Sequence, residues 1–352
     1  MRMATVAGLL LLSLAAPAWP QSNTMPASSS SAGSKPSHDG VPILQTVTVT
    51  GVQPGPGLWK VSNGNHVMWV LGTLTPLPKH MQWQSAQVEQ AIAQSQELLE
   101  LPKAELKVDA GFFTKLALLP SVYSTRRNPD DADLQQILPP EMYARWQALK
   151  HQYIGDDSGI EYWRPILVAF KLYEKALDAS GLSNEKDVTD AVLKLAKKHH
   201  VTRTAVRFQL VIEHPRDAVD TIKQTNLHDI SCLNQTMDLV EHNLGELTTR
   251  ANAWSTGDMA TLQKLSMNDR HESCVIAVID ADFAQQLGLH DLPERIEATW
   301  LTAAESALAR NTQTFAVLPV DKMLPSDGYL AQLKAKGYVV QSPDEQDQSA
   351  LK

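Results

Sequence analysis

Three short stretches place polar side chains where an apolar run ends. Val70-Leu71 empties into Gly72, Thr73, Leu74 and Thr75; Phe315–Leu318 empties into a polar loop holding Asp321; and Leu98–Leu101 carries Glu100 before Pro102 stops it. Polar groups at strand ends are where α/β proteins usually place chemistry, although Glu100 reads equally well as a solvated edge residue. No motif names a reaction, since HExxH, GxSxG, GxxxxGK[ST] and GxGxxG are all absent. The eleven histidines are scattered. Their only adjacent pair, His199-His200, follows Lys197-Lys198 and reads as a solvated helix end whose positive charge complements the dipole. The members of a Ser–His–Asp triad need not be close in the chain, and nothing points to one.

The elements that must position these residues are partly legible. Leu58–Ser62 and His66–Leu71 read as two strands joined by Asn63-Gly64, a hairpin signal because both turn positions need positive φ. A helix capped by Ser85, with Val88, Ala91, Ile92 and Ser95 on one face, then leads to the Leu98–Leu101 strand. This is an α/β unit. From about 104 to 265 the pattern is mostly helical, including a helix capped by Ser183 that buries Val188, Ala191, Val192 and Leu195. Met237, Val240, Leu244, Leu247, Ala251 and Trp254 mark a further helix, which Gly257-Asp258 turns into the next. Cys274–Val278 fits a strand or a buried helix. Near the end, Asp291 to Glu294 resembles a capping box with Pro293 in the first turn. A helix, the Thr314–Leu318 strand, the Pro319–Gly328 loop, the Tyr329–Lys336 helix with Gly337 as its cap, and a last strand, Tyr338–Gln341, follow. The expected fold is α/β: a central sheet with an opening hairpin, flanking helices and a large helical insertion.

The chain has 352 residues, 43% hydrophobic and 20% charged, with net charge −8, or −9 once Arg2 is removed with residues 1–20. An acidic chain has no electrostatic reason to bind nucleic acid or anionic lipid. Met1–Pro20 carries Arg2, an apolar run from Val6 to Ala16 and a small-x-small site near Ala18, the pattern of a secretory signal peptide. An uncleaved anchor is the alternative. No stretch is long enough to span a bilayer. Residues 21–40 read as a flexible linker, 41–341 as one domain opened by a Val41–Gly51 strand, and 342–352 as a disordered tail. Export to the periplasm or outside the cell suits a Cys232–Cys274 disulfide, which would contribute about 4 kcal/mol in the chain-entropy model. Two free buried thiols are the alternative.

LWKVSNGNHVMWVLGTLTPLP (residues 58–78), Glu100 in its Leu-Leu-Glu strand, Trp254 with Gly257-Asp258, and FAVLPVDKMLPSDGYLAQLKAKGYVV (residues 315–340) together resemble the TraB/GumN family, with its Tiki and PrgY relatives. The likeness spans about Gly57 to Gln341. It implies a sheet with a helical insertion and, for some members, a metal-dependent peptidase whose two strand-end loops each supply a histidine. Here Thr75 stands at the first histidine position and Asp321 at the second. Arg295-Ile296 stands for the family's Arg-Asn pair, and a second glutamate has at best Gln209 as its counterpart. Gly72, Thr73, Glu100 and Arg295 match. A hydroxyl is a poor ligand for a borderline metal. Glu100 with Asp321 would make a hard, all-oxygen pair for Mg²⁺, Ca²⁺ or Mn²⁺; in the competing arrangement Arg295 neutralises both carboxylates and no metal binds. The resemblance therefore implies a degenerate, metallopeptidase-like site. On this reading the chain is a pseudoenzyme with no cofactor that binds a peptide or protein. The alternative is a metal-dependent hydrolase working through Glu100 and Asp321, with a divalent metal.

Overall fold

A computed structural model of the chain describes residues 55–79, 81–184, 187–224, 229–265, 289 and 291–350. The expected leader, the linker, the Val41–Gly51 strand and the Cys274–Val278 run lie outside the described residues. Strands β1 (Leu58–Asn63) and β2 (His66–Thr73) form the expected hairpin, in register from Leu58 opposite Leu71 to Asn63 opposite His66. The turn sits one residue later than Asn63-Gly64. Its central residues are Gly64 and Asn65, of which only Gly64 has a positive φ, 57°. A two-residue loop with glycine first relieves the asparagine of a left-handed conformation.

The remaining strands are β3 (Leu77–Pro78), β4 (Glu97–Leu99), β5 (Lys103–Val108), β6 (Leu182–Ser183), β7 (Thr202–Thr204), β8 (Arg207–Ile212), β9 (Gln313–Pro319) and β10 (Val339–Gln341). Six of them form the central sheet, in the order β10-β1-β2-β9-β4-β7. β10, β1 and β2 pair antiparallel, whereas β2, β9, β4 and β7 run parallel. β9 inserts between β2 and β4, so strands far apart in sequence meet at the centre, with Gly72 opposite Leu318 and Thr73 opposite Pro319.

Both faces are covered, as a parallel sheet requires. One core packs Leu71, Leu98, Phe315 and Val317 under the helices Ala86–Ala93, Pro165–Ala179 and Asp187–Lys198. The other packs Val70, Leu99, Ala316 and Leu318 under the helix Leu292–Arg310, through Trp300, Ala304 and Leu308. Alternation along each strand divides these residues between the two faces.

Several local expectations are corrected. The stretch from 104 to 265 is mostly helical but also holds β5 and β8, a separate two-stranded parallel sheet. Its side chains are largely exposed, so no alternating pattern marked it. Ser85 occupies an N-cap position without making a side-chain cap bond; Ser183 lies in β6, and residues 185 and 186, where a cap of the next helix would act, lie outside the described residues. The capping box at Asp291 is not formed; that residue has a φ of 53° and no side-chain cap bond. The lysine–histidine cluster is not simply solvated, since Lys198 Nζ and His199 Nε2 lie 2.6 and 2.8 Å from the Glu89 carboxylate and tie two helices together. By contrast, Met237 through Trp254 are buried as expected, on two consecutive helices, Asp229–His242 and Leu244–Thr256. Gly257 ends the second at φ 74°, and the Asp258 carboxylate accepts from Thr261 N to start the next. Pro343–Ala350, expected as a disordered tail, is helical. Ser342 and Glu345 cap it reciprocally, each side chain accepting from the other's backbone N–H, and the Gln346 amide donates to Leu58 O at 2.9 Å.

Candidate functional site

β2, β9 and β4 point the same way, so the residues that follow them gather at one edge of the sheet, the carboxyl edge, where open α/β sheets place ligands. Thr75 lies past β2, Asp321 past β9 and Glu100 past β4. The helix Leu292–Arg310 leads into β9, so its first turn, with Arg295, reaches the same edge. In this sense the fold brings together the four residues that resemblance singled out.

Gly72 is the joint of the site. A Cβ there would come within 2.8 Å of Met323 Cε and 2.9 Å of Val320 Cγ2, so the short helix Val320–Met323 that carries Asp321 packs directly on its backbone. Behind it, the buried Trp254 indole donates to Gly72 O at 2.8 Å, and the Thr73 hydroxyl donates to Leu318 O at 3.3 Å. The first loop is thereby fastened to both the helical insertion and the second loop.

The side chains each take a different neighbour. Leu98 faces the core under the helical insertion and Leu99 the opposite core, so Glu100 returns to the insertion side. Arg203, opposite Leu98 in register, shares that side and donates to Glu100 Oε1 from Nε at 2.9 Å and from a terminal nitrogen at 2.6 Å. Asp321 lies 3.4 Å from Lys322 Nζ and acts electrostatically on Tyr329, which belongs to the other core. Glu100 and Asp321 thus each sit beside a different cation. The Arg295 guanidinium stacks 4.6 Å over the Phe208 ring, and Gln209 is an exposed β8 residue opposite Glu105. Thr75 is exposed. Among the described residues no three His, Cys, Asp or Glu side chains meet as metal ligands. The donors at Thr75, Glu100 and Asp321, an alcohol and two carboxylates with cationic neighbours, do not fit a divalent ion.

Two features escaped the sequence reading. Glu297, half a turn beyond Arg295, accepts from the Gln332 amide at 2.6 Å. Burial, followed by the negative charges of Asp327 and Glu294, raises its carboxyl above the ordinary range. Burial, with Glu297 and Asp321 adding to it, also pushes the neighbouring Tyr329 phenol strongly upward. No local signal linked these residues; only the docking of the helix Tyr329–Ala335 on Leu292–Arg310 does so. Secondly, a pocket of about 110 Å³ opens beside the Thr75 loop, lined by Leu77, Pro78, Met81, Trp83, Asp187 and Val188 among others. It has room for one side chain, far below the roughly 300–1,000 Å³ of small-molecule sites. Cys232 is buried on the helix Asp229–His242. Cys274, its expected partner, lies outside the described residues.

A protein-family model described as the TraB/PrgY/gumN family matches residues 57–342. No curated protein and no solved structure matches the chain.

Proposed function

The chain belongs to the TraB/PrgY/gumN family, and we propose that it is an exported, non-catalytic member that holds a peptide segment of a partner at the carboxyl edge of its sheet. The observation that carries this reading is the Glu100–Arg203 pair. The carboxylate that matches the family's site spends one oxygen on two charge-assisted hydrogen bonds from a guanidinium. A carboxylate held in this way serves as a structural anchor more readily than as a ligand or base. The pocket beside Thr75, sized for one side chain and walled mainly by apolar residues, is what a peptide-holding edge would offer. The competing hydrolase would need Glu100 and Asp321 in one cavity, and no contact favours it.

Calorimetric titration of the purified mature protein with Mn²⁺, Co²⁺ and Zn²⁺ tests the reading. The expected result is no binding isotherm. Micromolar binding that Glu100→Ala abolishes would overturn it, as would cleavage of a mixed peptide pool that stops with the same variant. The export half rests on the composition of Met1–Pro20, and sequencing the N-terminus of the processed protein checks it: an intact Met1 refutes cleavage. Thiol titration under denaturing, non-reducing conditions should then find no free thiol, because Cys232 and Cys274 are paired in an oxidising compartment.

A further inference from the structure

The helix Phe112–Ser124 is built inside out. The side it turns to the rest of the chain carries Thr114, Leu118 and Ser121, all half-buried, and no residue of the helix is fully buried. Its other side presents Phe112 (74% exposed), Phe113 (82%), Leu116 (53%), Leu119 (58%) and Tyr123 (65%). β5, which leads into the helix, adds Leu106 at 62%. A surface helix normally faces its apolar stripe inward. Together these side chains expose on the order of 700 Å² of mostly apolar surface, more than the largest patch of a typical monomer and close to the roughly 800 Å² per partner of a stable interface.

From this we infer that the chain forms a two-fold homodimer in which the exposed face of Phe112–Ser124 packs against the same face of a second copy. The charges on and around the helix select this occupant over a membrane. A helix lying on anionic lipid borders its apolar face with cations, but Lys115 is the only charged residue between Phe112 and Ser124. The nearest arginines are already engaged: Arg126 lies 4.3 Å over the Trp163 ring and 5.1 Å over that of Tyr123, at the end of the face, and Arg127 Nε lies 2.6 Å from Asp131. The chain as a whole carries −8. An almost uncharged apolar face is complementary to itself, and an isologous contact closes after two copies without leaving a second apolar face exposed.

Sedimentation velocity on the full mature chain across a dilution series tests this. The wild type should sediment as a dimer that dissociates on dilution. Phe113→Asp should weaken association by at least about 30-fold, as loss of a central aromatic anchor does. Because Phe113 is almost fully exposed, the variant should keep the wild-type denaturation midpoint at dilutions where both are monomeric, which shows that folding is intact. Amide exchange on unmodified protein gives a second readout: residues 112–124 should become more protected as concentration rises. A wild type that stays monomeric, or a dimer whose dissociation constant Phe113→Asp leaves unchanged, overturns the inference. So does co-flotation of monomer with phosphatidylserine-containing vesicles that depends on Phe113, which would assign the face to lipid.

Discussion

The two edges of the central sheet are finished in opposite ways. At the amino edge Glu97, Gln96 and His66 are tied down. The Glu97 carboxylate, 7% exposed, accepts from the Thr204 hydroxyl at 2.5 Å, the Asn311 amide at 2.6 Å and Arg310 at 3.1 Å. Gln96 Oε1 accepts from Thr312 N at 2.7 Å, and His66 Nδ1 lies 2.7 Å from Asn311 O. At the carboxyl edge Glu100 and Asp321 each sit beside one cation, Thr75 is exposed, and Glu297 has its proton affinity raised. A saturated network serves the fold, because a buried polar group is costly only when unpaired. The carboxyl edge is less fully paired.

Breaking the amino edge should cost most. Glu97→Ala strands the Thr204 and Asn311 donors and should lower stability by about 3 kcal/mol in urea denaturation. A variant within about 1 kcal/mol of wild type would erase the contrast. Gly72→Ala should come next, at about 1–2 kcal/mol, because its Cβ meets Val320 and Met323, though the Met323 end can swing away. Trimming Met323 to Ala in the same chain should recover part of that loss, since the two positions share one contact.

Acid titration sharpens the comparison further. Burial alone would raise the Glu97 carboxyl, but the bonds from Thr204, Asn311 and Arg310 together outweigh it and hold the group below 4.5. Its stabilisation is therefore present above pH 4.5 and is lost as pH falls through the folded value. Glu297 has the opposite sign: its contribution is full below 4.5 and is lost as pH rises through its raised value. Denaturation midpoints measured against pH should show Glu97→Gln flattening the acid limb and Glu297→Gln raising stability at neutral pH. If both variants shift the curve in the same direction, the edges do not differ as described. The smallest effect belongs to Glu100→Ala. Its partner Arg203 is 43% exposed, so the pair should contribute at most about 1 kcal/mol in the same urea assay.

What could be read from the sequence was local. The hairpin from Leu58, the β9 run, the Leu244–Thr256 face and the left-handed Gly257 carry their signals within a few residues. β5 and β8 went unseen because Lys103–Val108 and Arg207–Ile212 are half charged or exposed and are stabilised by each other, about 100 residues apart. The positions of Thr75, Glu100, Arg295 and Asp321 at one edge followed from resemblance. Their partners did not: Arg203 reaches Glu100 through strand register, and Gln332 reaches Glu297 through helix docking, neither of which leaves a mark in the sequence.

The insertion of β9 between β2 and β4 also sets a timetable. A ribosome delivers β2 and β4 early, yet their shared neighbour begins at Gln313, so the middle of the sheet stays open until nearly the whole chain has been made. Contacts this distant slow folding and keep apolar strand edges uncovered. The sheet cannot close its centre before β9 exists, and a product truncated ahead of Gln313 should remain open and prone to degradation.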